Sequence, residues 1–128
     1  MRRAVPALCA ALVVFAACGD GGDPQVTMNG ERRFAPEEIT VGRGQTITFV
    51  NESDEQHTVT AYDDGIPEGA PYFASGGFPS EDAARDDPAR GFIPAGEPYS
   101  ITLRAPGTYE YFCIPHEPQG MTGTIVIE

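Results

Sequence analysis

The sequence predicts an all-β fold, an antiparallel β-sandwich carrying one long insertion. Three observations point to it. Apolar and polar residues alternate over short runs rich in Val, Ile, Thr, Tyr and Phe, the period of a half-buried strand. Glycine and proline, 15 and 12 of the 128 residues, break those runs into turns. Helix signals are confined to one short stretch near residue 80. Many short strands with tight turns bury their apolar faces as two packed sheets.

Taken in order, residues 1–17 read as a lipoprotein-type signal peptide, not as fold. Arg2 and Arg3 supply a positive start, and Ala4 to Ala17 is almost wholly apolar yet short for a membrane span. The segment ends Phe15-Ala16-Ala17-Cys18, which resembles a bacterial lipoprotein signal and makes Cys18 the candidate lipid attachment. Ordinary secretion is the alternative. Residues 18–24, with a Gly/Asp run after Cys18, suit a flexible linker.

The predicted domain spans residues 25–128, enough for one modest core. Val26 to Met28 reads as a short strand, and the next run places Ile39 and Val41 on one face. Gly42-Arg43-Gly44 is a turn, after which Thr46 to Val50 alternates with Ile47 and Phe49 inward. Asn51 to Gln56 is a polar turn, and His57 to Thr60 begins another strand. Residues 62–91 break the pattern with Pro67, Pro71, Pro79 and Pro88 and an acidic run. Within this insertion Ser80 to Arg85 predicts a helical turn or two, Ser80 as its N-cap and acids in its first turn. Tyr72, Phe73 and Phe78 are expected to pin the insertion over a sheet. Tyr99 to Leu103, Gly107 to Cys113 and Thr124 to Ile127 complete the strands.

Chemistry concentrates in His57, Cys113, His116 and Met121. They comprise both histidines of the chain and the one cysteine beyond residue 18. Two imidazoles, a thiolate and a thioether are the ligand types of a mononuclear blue-copper site, a trigonal His₂Cys plane with a weak axial Met. Soft sulfur suits Cu(I) and imidazole suits Cu(II), so the set serves both oxidation states. The Cys-x₂-His-x₄-Met loop can converge because Pro115, Pro118 and Gly120 allow the chain to reverse. Zinc is a poorer match, since a thioether is a poor zinc ligand and no further acid or base is placed to use a bound water. Nucleophilic catalysis by Cys113 with His116 lacks an orienting partner.

Charge narrows the partners. The formal net charge is −11 and the chain has no lysine. That excludes nucleic acid, whose phosphates require a basic surface. Acidic clusters at Glu52/Asp54/Glu55, Asp63/Asp64 and Glu81/Asp82/Asp86/Asp87 could steer a basic redox partner or serve only as a solvated surface.

The residues also carry a family resemblance. Phe34-x-Pro, Gly44-x-Thr-Ile-x-Phe49-x-Asn51, His57-Thr-Val, Ala105-Pro-Gly-Thr-Tyr-x-Tyr-Phe-Cys113-x-Pro-His116 and Gly120-Met121-x-Gly123 together resemble the cupredoxins. The ligand spacing is similar to that of the plastocyanin, pseudoazurin and halocyanin-like members. The resemblance implies a Greek-key sandwich with one type 1 copper ion, Cu(I)/Cu(II), held near one end by His57, Cys113, His116 and Met121. It implies one-electron transport between membrane or periplasmic redox proteins such as a cytochrome or oxidase. It further implies that His116 is the electron port, set in an apolar patch with Ile114, Pro115 and Pro118. Thr58 stands where such proteins often have an Asn that braces the cysteine loop, and its hydroxyl is a candidate for the same work. Phe112 stands where plant plastocyanins have Tyr, so a docking route of that kind is not expected.

The combined expectation is a monomeric, extracytoplasmic, membrane-anchored electron carrier that is not an enzyme. A copper delivery module is the alternative, although such carriers favour Met- or His-rich sites. A copper oxidase or nitrite reductase domain would need more histidines than the two present.

Overall fold

A computed structural model describes residues 23–128. The signal peptide 1–17, the lipid attachment at Cys18 and all of the linker but Asp23 and Pro24 lie outside the described residues. Eight strands follow in order: β1 (Gln25–Met28), β2 (Phe34–Ala35), β3 (Glu38–Val41), β4 (Thr46–Asn51), β5 (Thr60–Ala61), β6 (Pro98–Thr102), β7 (Gly107–Phe112) and β8 (Thr122–Ile127). They form two four-stranded sheets, β2-β1-β4-β6 and β3-β8-β7-β5. The sandwich is therefore as expected.

The sheets are mixed, which corrects the antiparallel expectation. β1 runs parallel to β4, Val26 opposite Phe49, and β3 runs parallel to β8, Ile39 opposite Ile125. The chain places β3 in the opposite sheet between β1 and β4, so β4 returns alongside β1 in the same direction. Alternation of apolar residues specifies which face is buried and carries no information about strand direction.

The core lies between the sheets. Ile47 and Phe49 of β4, Tyr109 and Tyr111 of β7, and Ile125 and Ile127 of β8 point inward and are buried in one cluster with Val26, Met28 and Phe34. Each such side chain contributes about 1.5–3 kcal/mol through burial. Tyr111 packs edge-on against both Phe34 and Phe49, at centroid distances of 4.7 and 5.4 Å. Its hydroxyl is buried without a hydrogen-bond partner. The space for that ring exists because position 123, opposite it on β8, is glycine: a Cβ there would overlap the phenol.

The insertion is largely ordered into local structure. It contains 3₁₀ turns at Asp63–Gly65 and Pro88–Gly91 and a helix, α1 (Glu81–Asp86). The Ser80 hydroxyl caps α1 by accepting from the Ala83 N–H at 3.2 Å. Phe73 joins the main core, Phe78 packs with Ala74 and Ala84, and the Tyr72 hydroxyl donates to the Ala61 carbonyl at 2.8 Å. Phe73 and Tyr72 pin the segment to the sandwich as expected, whereas Phe78 packs within the insertion itself.

The strand expected from His57 is shorter than anticipated, with β5 confined to Thr60–Ala61. The insertion takes over as partner of this stretch through the Thr60–Ala74 bridge and the hydrogen bonds between Val59 and Ser75, while His57 bridges Ile93 just past the insertion. In this way the insertion covers the edge that β5 would otherwise leave open. Among the described residues no helix is long and apolar enough to cross a membrane.

Candidate metal centre

The site forms where two chain reversals meet at one end of the sandwich. The first is the turn from Asn51 to His57, wound around a buried polar side chain. Asn51 donates through Nδ2 to the carbonyls of Glu55 and Ile93, at 2.7 and 2.8 Å, and accepts at Oδ1 from the backbone and hydroxyl of Ser53. The second is the loop from Cys113 to Met121, a 3₁₀ turn over Ile114–Gln119 ended by Gly120 at φ 88°. The Cys113 N–H donates to the Met121 carbonyl at 3.0 Å, closing the loop on itself. Cys113 and Met121 are fully buried in the main core cluster.

Three donor atoms converge. His57 Nδ1 lies 3.2 Å from His116 Nδ1, and Cys113 Sγ lies 3.6 and 3.5 Å from them. All three residues are buried. The centre of an equilateral triangle of about this size lies about 2 Å from each corner, the length of a bond from imidazole nitrogen to a metal ion. The gap between the two reversals therefore has the dimensions of one coordinated ion.

Hydrogen bonding assigns the tautomer at His57. The Ser53 hydroxyl donates to Asn51 Oδ1 at 2.8 Å, which leaves its lone pairs for the Glu55 N–H and for His57 Nε2 at 2.9 Å. Nε2 must then carry the proton, and Nδ1 presents a free lone pair to the centre. Burial, and next the neighbouring His116, lower the His57 pKa to about 4, so the ring is neutral and ready to ligate. Burial, followed by the nearby Arg32 charge, also lowers the His116 pKa. Burial raises the Cys113 thiol, so metal binding must displace a proton there.

Thr58 does what its position suggested. Its N–H points at Cys113 Sγ from 3.4 Å, and its hydroxyl accepts from the Ile114 N–H at 2.9 Å. One residue thus supplies a donor to the sulfur and fixes the start of the ligand loop. The hydroxyl also bonds Thr60 Oγ1 at 3.0 Å, which limits its rotation.

The surroundings of His116 differ from the purely apolar patch that was expected. Its side chain is 11 % exposed, beside half-buried Ile114 and exposed Pro115 and Pro118. Its Nε2 faces Glu55 Oε1 at 3.6 Å. Glu55 is in turn gripped by Arg32 through two bonds of 3.0 and 2.7 Å, which lower the carboxyl pKa. Arg32 sits at φ 61°, a conformation sustained by the turn that closes on Asn29. Ser53, Glu55, Arg32 and Asn51 were not identified as site residues from the sequence, where Asn51 stood only in a motif and Glu55 only in an acidic cluster. An Asn-x-Ser-x-Glu run ahead of a ligand histidine is the only local signal, and the Arg32 contact spans 23 residues.

The donor set fits copper better than zinc, because a buried thiolate, two neutral imidazoles and a thioether on the same loop combine soft and borderline ligands. Comparisons with known proteins agree. A family model, that of copper-binding proteins of the plastocyanin/azurin family, matches residues 24–128. A chloroplast plastocyanin from Physcomitrium patens is 35% identical over 107 residues, 84% of this chain and 54% of its own length. The chain thus spans about half the length of that relative. A pseudoazurin from Sinorhizobium superposes with a TM-score of 0.58 at 28% identity, covering 83% of this chain and 73% of that one. A copper-containing nitrite reductase from Thermus scotoductus matches with a TM-score of 0.62 at 25% identity, over 85% of this chain but 23% of the reductase. With His57, Cys113, His116 and Met121 positioned as a type 1 copper site, the chain belongs to the plastocyanin/azurin family of copper-binding proteins.

Proposed function

We propose that this protein is a one-electron carrier working outside the cytoplasm, held to a membrane through lipid on Cys18. The observation that carries the reading is the triangle of His57 Nδ1, His116 Nδ1 and Cys113 Sγ, already assembled and buried. Bound copper supplies a Cu(I)/Cu(II) couple. The protein's part is to keep the ligands still between the two states. Ser53 fixes the ring of His57, and Thr58 fixes the sulfur and the loop behind it. His116 is the port, since its ring alone among the three joins the buried triangle to a solvent-facing edge. Met121, buried at the end of the same loop, would complete the ligand set, and its weak thioether would tune the potential.

The carrier is not itself an enzyme in this reading. Related folds also occur inside a copper nitrite reductase, but the two histidines here are both used by a single site. The partner is a basic redox protein, such as a cytochrome or oxidase. Its approach would be steered by the acidic surface, so raised salt should slow its electron exchange.

The test is an absorption and EPR spectrum after addition of Cu(II). An intense thiolate-to-copper band with small copper hyperfine splitting is the expected result. A colourless product would overturn the electron-transfer reading in favour of zinc binding or copper delivery.

A further inference from the structure

The insertion reaches the ligand loop through one guanidinium. Arg85, in the last turn of α1, donates from Nη1 to Glu117 Oε1 at 2.8 Å and from Nη2 to Glu117 Oε2 at 3.3 Å. The Tyr62 hydroxyl, at the start of the insertion, donates to the same Oε2 at 2.8 Å. Glu117 directly follows the ligand His116. Its carboxylate therefore receives three hydrogen bonds from a segment distant in sequence.

Arg85 also grips the chain on the other side of the ligand cysteine. Its Cζ lies 4.3 Å from the ring centre of Phe112, and the Tyr62 ring stacks on Phe112 at 4.4 Å with the planes 25° apart. The residues before and after Cys113–His116 are thus held by the same two side chains. Arg85 is itself aimed by Glu81, which accepts from its Nε at 2.8 Å. The other oxygen of Glu81 accepts from the Asp63 N–H at 2.8 Å, and Asp63 Oδ1 accepts from the Glu81 N–H at 3.1 Å. These reciprocal bonds tie α1 to the first turn of the insertion.

The loop needs such support. Pro115 and the run Pro118 to Gly120 are exposed. Its two ends are joined by the Cys113 N–H to Met121 carbonyl bond, but between them the N–H groups of His116, Gly120 and Met121 reach only to carbonyls three to five residues back. From outside, Thr58 bonds the Ile114 N–H and Arg33 reaches the Gly120 carbonyl at 3.5 Å. Between those two points the Arg85–Glu117–Tyr62 network holds the loop at Glu117, next to the 3.6 Å approach of Glu55 to His116 Nε2.

We infer that the 62–91 insertion is a clamp on the ligand loop, with Arg85 and Tyr62 as positioning residues that hold Glu117 and Phe112 on either side of Cys113. A lone exposed ion pair contributes little, but a bidentate guanidinium that is also stacked and pre-aimed loses less freedom on pairing. The clamp keeps His116 and Met121 in one arrangement with or without metal, which deepens the proposed function by giving the low structural rearrangement of the carrier a cause.

Amide hydrogen exchange of the metal-free protein tests this independently of any metal reading. In Arg85→Ala the amides of His116, Gly120 and Met121 should exchange about tenfold faster, with those of β4 unchanged. Tyr62→Phe, which removes one hydroxyl, should raise the same rates about threefold and keeps the test valid if Arg85→Ala does not fold. On the copper-loaded protein, a chelator should capture copper several-fold faster from either variant, and the visible band should broaden. Loop exchange within twofold of the parent in both variants would overturn the clamp. Faster exchange with unchanged copper capture and an unchanged band would overturn the positioning role. Failure of the parent to take up copper would sink the proposed function, while the exchange rates would still decide the clamp.

Discussion

The two ligand imidazoles present the same atom to the centre and live in opposite surroundings. His57 is wholly buried, and its outer nitrogen meets a neutral serine hydroxyl within a network closed by Asn51. The outer nitrogen of His116 faces a carboxylate paired with arginine, at an edge reached by solvent. One imidazole is an anchor with no contact to the outside. The other links the centre to a solvent-facing edge, as the proposed port requires. Low dielectric around His57 makes any unpaired polar atom costly there, whereas solvent softens every charge near His116.

Breaking the sulfur corner that both rings share should have the largest effect. Cys113→Ser should abolish the intense visible band, since neither imidazole can replace a thiolate; an absorption spectrum of the copper-loaded variant checks it. Ser53→Ala comes next, because it leaves His57 Nε2–H buried without an acceptor. Folding stability should fall by about 1–3 kcal/mol and copper affinity by about 10–100-fold, as read by denaturation and by competition titration.

The pH dependence follows from the same burial. The thiol pKa is raised and that of His57 lowered to about 4. From the ordinary imidazole range up to the raised thiol pKa, binding of Cu(II) displaces the thiol proton, so affinity should rise about tenfold per pH unit. At lower pH the protons on the two imidazoles also compete, that on His57 below about pH 4, and the slope should steepen. A flat profile would mean that the thiol is already ionised in the metal-free protein.

The smallest change should come from the exposed side of the comparison. Glu55→Gln removes a negative charge facing His116 without touching a ligand. Copper should stay bound, and the reduction potential should rise on the order of tens of millivolts, because a nearby carboxylate favours the more positive ion. Equal losses of copper from Ser53→Ala and Glu55→Gln would erase the distinction between anchor and port.

How much of this was legible in the sequence depends on the range of each interaction. The ligand set could be read because His, Cys and Met are scarce and their spacing on a turn-rich loop is short. The cap of α1 could be read for the same reason, since Ser80 and Ala83 are three residues apart. Ser53 and Asn51 were hidden in what looked like an ordinary polar turn, because only its folded course brings the hydroxyl under His57. Arg85 read only as the end of a short helical turn, and its contact with Glu117 spans 32 residues. The parallel pairings had no local signal at all. Glu81 and Asp63, counted from sequence as surface charge, turn out to be engaged with backbone N–H groups.

The fit of Tyr111 against Gly123 sets a limit on what this chain can vary. β7 and β8 carry the two ends of the ligand loop, and at this rung of their ladder a large ring crosses over a residue with no side chain. Alanine at position 123 would have to displace the phenol or push the strands apart, and either movement is delivered to Cys113 and Met121 at the adjoining ends. A position with no side chain and no place among the ligands should thus tolerate substitution as poorly as the ligands themselves. In a saturation library screened for colour, position 123 should stand among the blank rows.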